Sequence, residues 1–335
     1  MKRPLTLLTF LLILVFQSRS QDVHFSMYDF APLSLNAAET GYFEGDWRGV
    51  VNYREQWKSL GDPFQSVAAS YDQNLYFLPG QFSAGFLFVS DQSGSIGLSH
   101  NRFLVSLAYK KESPTWDYSA GIQIGAVVKS FGLDGTTFPE QYNDNIGAFD
   151  SALPLSEQDL GNQTTYFDMN LGGLVVRKFA TAKVRLGVSA HHLNAPDVSF
   201  FDNQDNLSPR TNAYVQVEKD LDNSLFVRPM LLMSWHNKAQ KVLIGGDVGI
   251  YTPNSDFVQE LFLGMDIRDG FDRNGDAFIA SLGFGINDFR VGLAYDLNYS
   301  SLKNQTNNRG AIELSLIYIS PSTAIKKITI PCDRY

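Results

Sequence analysis

Hydrophobic and polar positions alternate with a period of two along most of this chain. In residues 289–299, "FRVGLAYDLNY", Phe289, Val291, Leu293, Tyr295, Leu297 and Tyr299 share one parity. Arg290, Gly292, Ala294, Asp296 and Asn298 share the other. Successive side chains of a strand point to opposite faces, so such a segment has one apolar and one polar side. Residues 116–128 repeat the pattern: Trp116, Tyr118, Ala120, Ile122, Ile124, Ala126 and Val128 oppose Asp117, Ser119, Gly121, Gln123 and Gly125. In residues 47–56, Trp47, Gly49, Val51 and Tyr53 oppose Arg48, Asn52, Arg54 and Gln56. Glu55 breaks this last pattern, so either the apolar face ends at Tyr53 or a bulge shifts the register there.

The same reading predicts strands near 45–56, 65–75, 83–91, 99–110, 116–130, 166–178, 182–193, 210–220, 225–236, 241–251, 259–269, 276–287, 289–299 and 310–320. The outermost aromatics of residues 289–299 stand about 33 Å apart at ~3.3 Å per residue. That is about 24 Å of height at ~45° tilt, close to the ~25 Å apolar band of a membrane barrel. Soluble strands average only about 5–6 residues. Long connections (residues 132–165, 194–209, 268–276 and 298–310) alternate with short ones such as "KESPT", "KFAT", "LDNS" and "IND", with "NKAQ" as a short exception among the long. No linker or low-complexity run divides the chain. The pattern therefore predicts an all-β, single-domain, transmembrane antiparallel β-barrel of about 14 strands with a polar lumen, an even count that closes without free edges.

The first residues say how such a chain reaches a membrane. Lys2 and Arg3 precede an apolar run from Leu5 to Phe16, then small and polar residues, which reads as a signal peptide over residues 1–20. The run is shorter than the roughly 20 apolar residues of a spanning helix. The expected division is a barrel unit over 21–335, with a periplasmic or lumenal segment at 21–44, the barrel at 45–320 and a periplasmic tail at 321–335. The outer membrane is the expected location. No Cys follows the leader directly, so a lipid-anchored amino terminus has no acceptor.

Composition removes several functions. A net charge of −8 argues against nucleic acid as a partner. A single Cys, Cys332, rules out an internal disulfide framework. G-x-S-x-G, H-E-x-x-H, Walker A and paired-Cys patterns are all missing, so neither an enzyme nor a cofactor is expected. His191 and His192, as neighbours on a strand, are expected on opposite faces, a poor geometry for one metal. Asp272 to Asp276, "DRNGD", reads as an Asn-Gly turn rather than a calcium loop, because Gly275 comes too early in it and the distal Glu is missing.

Candidate lumen charges are Arg48, Arg54, Asp72, Asp168, Glu260, Asp266, Arg268, Arg290, Asp296 and Glu313, with both signs interspersed. Either they pair in an ion network that fills the interior, or they line a water channel; unpaired buried charges are expensive, which favours the network. Candidate binding residues in the long loops are Phe138, Tyr142, Phe149, Phe200 and Phe201, since exposed aromatics are enriched in interface cores. The tail with Lys326 and Lys327 is either a periplasmic contact or a solvated end.

Five blocks in order resemble the PorP/SprF family of type IX secretion membrane proteins of Bacteroidetes: "QDVHFSMYDFAPLSLNAAETG", "NYREQWKSLGDPFQSVAASYD", "GVSAHHLNAPDVSF", "YDLNYSSLKNQTNNRGAIELSLIYI" and "IPCDRY". The sequence departs from that pattern at Asn36-Ala37-Ala38, where the family usually has Asn-Pro-Ala, and at Asp333, where it has Pro. The resemblance implies a non-enzymatic outer-membrane barrel that binds or anchors a secreted adhesin or other cargo through its type IX carboxy-terminal domain. It also implies a link to gliding motility in some lineages, and a periplasmic peptidoglycan-binding protein as a further partner. The alternatives are a passive porin and, less in keeping with the residues, a lipid-face hydrolase. A soluble sandwich would need the apolar faces to meet each other instead of lipid. The mature chain is therefore expected to stay monodisperse only with detergent or lipid; size-exclusion chromatography in plain buffer checks this, and a sharp monomer peak there would refute the barrel.

Overall fold

The computed structural model describes residues 23–76, 81–93, 97–132, 139–144, 146–150, 153, 163–200, 204–237, 239–252, 258–270, 275–300 and 303–323. The expected signal peptide, Phe138, Phe201, Cys332 and residues 324–335 lie outside them.

The strands, in chain order, are β1 (Trp47–Gln56), β2 (Phe64–Leu75), β3 (Phe82–Ser93), β4 (Leu98–Glu112) and β5 (Trp116–Ser130), followed by a two-strand ribbon of β6 (Tyr142–Asn143) and β7 (Ala148–Phe149). Then come β8 (Gln163–Lys178), β9 (Ala182–His191), β10 (Arg210–Asp220), β11 (Leu225–His236), β12 (Ala239–Tyr251), β13 (Glu260–Asp269), β14 (Gly275–Ile286), β15 (Phe289–Asn298) and β16 (Arg309–Ile319). All but β6 and β7 form one closed antiparallel barrel of fourteen strands, each beside its neighbour in sequence. The ribbon pairs only with itself, inside the connection from β5 to β8. β1 closes the sheet on β16, from Arg48 opposite Ile319 to Gln56 opposite Ala311. Among the described residues no helix is long and apolar enough to cross a membrane; the strands do the crossing.

Alternation sets which side of the wall each residue faces. In β13, Leu263 and Met265 are 65% and 80% exposed on the outside, while Phe262, Asp266 and Arg268 are buried inside. Aromatic pairs mark both ends of the apolar band: Trp47 with Tyr71 and Tyr318 at one, Trp57 with Phe64 and Phe278 with Tyr299 at the other. The Trp and Tyr rings at such levels combine an apolar body with a polar tip, which suits a membrane interface. The ambiguity at Glu55 resolves in favour of an apolar face that ends at Tyr53. The pairing of β1 runs unbroken through Glu55 on both sides. The carboxylate accepts from the Tyr53 hydroxyl at 3.2 Å and pairs with Lys58 at 3.0 Å.

Short connections (113–115, 179–181, 221–224, 287–288) gather at the end where residue 46 enters β1, and long ones (131–162, 192–209, 299–308) at the other. Near the seam, Asp46 lies outside the sheet and accepts from the backbone N–H and hydroxyl of Thr323, which hold its carboxyl below the usual range. Since the folded value is depressed, this tether of the chain end is present at neutral pH and released as pH falls through the folded value. Amide exchange at Thr323 is expected to be slow at pH 7 and to accelerate, beyond the intrinsic pH trend, in acid; the Asp46→Asn chain should exchange fast at both.

Candidate functional site: the filled lumen

Residues 23–46 run through the barrel from the long-loop end to the short-turn end. They form 3-10 turns at Tyr28–Phe30 and Ala37–Glu39 around one helical turn, α1 (Pro32–Leu35), where Pro occupies the first helical position. The segment is rich in apolar residues but does not alternate, so it packs as a compact core instead of adding a strand. Phe30, Leu33, Ala37 and Ala38 are almost wholly buried. Phe25, Ala31 and Leu33 pack on Ala68, Leu87, Val89 and Leu104, while Met27, Tyr28, Phe30 and Leu35 join a larger cluster with Tyr214, Phe226 and Phe262.

Its backbone is satisfied by side chains of the wall, as buried polar groups require. Asn52 donates to the Phe30 carbonyl at 3.0 Å, Gln123 to Leu33 at 2.9 Å, Ser189 to Leu35 at 2.7 Å, Ser119 to Ala38 at 2.8 Å and Lys110 to Gly41 at 2.9 Å. Two wall glycines make room for it: a Cβ on Gly172 would stand 1.8 Å from Asn36 Oδ1, and one on Gly121 would stand 2.3 Å from the Ala37 carbonyl oxygen. Asn36 caps the turn by accepting from Ala38 N–H at 2.9 Å and donates to the Gly173 carbonyl at 3.1 Å.

The top of the segment is held by charge. Glu313 accepts from the N–H groups of Ser26 at 2.6 Å and Met27 at 3.0 Å, and Ser26 Oγ donates to Asp296 at 2.8 Å. Arg54 bridges both carboxylates, at 2.8 Å to Asp296 and 3.2 Å to Glu313, and donates to Ser26 Oγ at 2.6 Å. Arg268 joins Asp296 at 2.7 Å and Asp276 at 2.5 Å. Register shifts at Arg268/Asp269 and at Asp296/Leu297 fall on two of these residues, and bulges re-aim side chains in this way.

Two further clusters lie toward the short-turn end. Arg48 clasps Asp72 through two nitrogens, at 3.0 and 2.8 Å, and donates to the Glu39 carbonyl; Asp72 also accepts from Gly41 N–H at 2.7 Å. Arg228 pairs with Asp247 at 2.7 Å and Glu260 at 2.8 Å, while Arg290 lies 3.4 Å from Glu260 and 3.6 Å from Asp29 of the threaded segment.

Of the candidate lumen charges, Arg54, Arg268, Asp296 and Glu313 thus meet at one site, Arg48 and Asp72 at a second, and Glu260 and Arg290 at a third. Asp168 stands apart with His192, 2.8 Å from its Nδ1. Asp266 is buried beside Gly245 without an ion pair among the described residues. The expectation that the adjacent histidines point to opposite faces is wrong. His192 adopts a φ of 58°, which turns the chain as β9 ends, and both rings are buried, 6.3 Å apart. Among the described residues no group of three or more His, Cys, Asp or Glu side chains is placed to hold a metal.

Sequence reasoning missed Ser26, Asp29, Glu39, Arg228 and Asp247. For Arg228 and Asp247 the signal was present, because Arg228 shares the inward parity of Phe226 and Met230, and Asp247 is its cross-strand neighbour. For Ser26, Asp29 and Glu39 it was not, since their segment has no period. In the long loops, Tyr142 and Phe149 face each other across the ribbon with ring centroids 5.3 Å apart, both about half exposed. Phe200 packs edge-on against Phe131 at 4.8 Å and under Lys129 at 4.6 Å.

A closed barrel with an apolar exterior, aromatic rims and a charge-lined, filled interior defines an outer-membrane β-barrel. Residues 17–318 match the family described as "Type IX secretion system membrane protein PorP/SprF", and the chain belongs to that family. No curated protein matches the sequence. Among solved structures the chain is similar to the CymD monoaromatic hydrocarbon channel, at 10% identity and a TM-score of 0.51 over 87% of this chain and 93% of that one. It is also similar to the toluene transporter TbuX of Ralstonia pickettii, at 10% identity and a TM-score of 0.47 over 86% and 92%. At such identity the first likeness speaks to the fold alone.

Replacing Arg54 by Ala leaves Asp296 and Glu313 buried with one cation fewer, a change that typically costs about 3–5 kcal/mol. The unfolding midpoint in detergent should fall accordingly, and an unchanged midpoint would contradict the anchoring role.

Proposed function

We propose that this barrel serves type IX secretion as a closed outer-membrane anchor that binds a secreted cargo protein through its long loops and supports its export. The observation that carries this reading is the lumen: residues 23–46 occupy it from the Ser26 anchor near one mouth to the Asp72 clasp near the other. A passive porin needs a continuous water path, and this interior is instead lined by paired charges and apolar contacts. Family membership supplies the secretion context. The cargo's carboxy-terminal domain is the expected ligand, and gliding motility is the expected setting where that cargo is an adhesin.

The ribbon in the longest loop offers the docking surface, where Tyr142, Ile146 and Phe149 are exposed by 46%, 62% and 51%. Aromatic residues of this kind supply most of the energy in protein interfaces, at about 2 kcal/mol or more each where they are central. Pulling the protein from native outer membranes in mild detergent should bring a secreted partner with it. The double variant Tyr142→Ala/Phe149→Ala should lose most of that partner while retaining the barrel. Recovery of only lipid and generic porins with the unaltered chain would overturn the proposal.

The filled lumen gives a second, separate test. The full chain should be electrically silent in planar bilayers, and a chain lacking residues 23–40 should conduct. Conductance by the full chain would favour the porin instead.

A further inference from the structure

The outer wall carries a groove of about 800 Å³ across β4, β5, β8, β9, β10 and β11. The register explains it. At one height Tyr109, Ala120, Gly173, Val188, Ala213 and Met233 stand side by side on successive strands. Small residues form the floor, and Tyr109 and Met233 rise at its sides. One step toward the short turns, Lys111 and Tyr118 begin the next row, which continues in aliphatic residues to Leu231.

Among outward-parity residues, the charge at the groove's lower end has one sign. Lys111, Arg177 and Lys219 share the outward parity near the ends of β4, β8 and β10. None of the three makes an ion pair among the described residues, though Arg177 stacks over Trp116 at 4.6 Å. The acids of this region have the opposite parity: Glu112 pairs with Lys110 and Asp117 with Lys178, while Glu218 and Asp220 flank Lys219. An apolar groove that ends in unpaired cations at the aromatic rim matches an amphiphile with two acyl chains and an anionic head. A protein partner would meet a mostly apolar lining whose outward polar groups, Tyr109, Lys111 and Tyr118, all sit on β4 and β5, leaving little to fix its orientation.

We propose that this groove binds one phospholipid of the membrane leaflet at the short-turn end, its acyl chains along Gly173 and Ala213 and its phosphate at Lys111. Such a lipid fills a concavity that mobile bulk lipid would leave loosely packed, and it stiffens the wall behind which Asn36 grips the Gly173 carbonyl.

The test uses the full chain in detergent, titrated with phosphatidylglycerol and read by native mass spectrometry. One lipid per chain is expected to survive removal of the micelle. Lys111→Gln should weaken retention about fivefold, the worth of one basic residue at an anionic lipid surface. Gly173→Leu should abolish it, because a Cβ there meets no atom of the wall within 4 Å and the added side chain occupies the groove alone. Heat-modifiable migration of both variants should match the parent, showing intact barrels. Equal retention by Gly173→Leu, binding that never saturates at one lipid, or a dimer that Gly173→Leu dissociates would each overturn the assignment.

Discussion

Hydrocarbon offers no hydrogen bonds, so every peptide group that enters it must find a partner inside the protein. For a sheet this leaves one solution, which is to close, and the rest of the molecule follows from that closure. β1 and β16 meet along nearly their whole length, leaving no unpaired edge facing lipid. With strands of this length, alternation then delivers an apolar cylinder outside and a polar surface inside.

Closing fourteen strands creates a second difficulty, because the interior is too wide for the wall's own side chains to meet across it. The chain fills it with its own amino-terminal stretch. That stretch forms no strand; its carbonyls are met partly by its own turns and partly by inward side chains of the wall, and its upper end is fixed by Arg54, Asp296 and Glu313 around Ser26. The wall has glycines where the segment passes, Gly121 and Gly172, and bulges where its anchors aim inward. Threading and wall are one packing unit, which is why the charges of the lumen serve binding of the chain to itself. The proposed cargo-binding role then falls to the loops, the part of a rigid barrel that is free to vary.

The outside of the wall is less uniform than a plain cylinder. The run of Ala120, Gly173 and Ala213 hollows it where Asn36 holds the segment on the inner side. Inner filling and outer groove share the same strand positions.

Strand positions, the barrel class, the inward parity of residues such as Arg54 and Asp296, and the family were legible in the linear sequence, because a period of two over long segments has one physical meaning at a membrane. The partners of those charges were not legible. Arg54 finds Asp296 across 242 residues of sequence, a meeting decided by closure and register. The threaded path of residues 23–46 was hidden because a segment without periodicity carries no information about direction. His192 was misread because its turn out of β9 depends on a left-handed backbone angle that parity cannot foresee. Sequence by itself determined the two faces of the wall, since that depends on neighbours along the chain; tertiary structure decided what fills it and what grooves it, since both depend on strands brought together only when the cylinder closes.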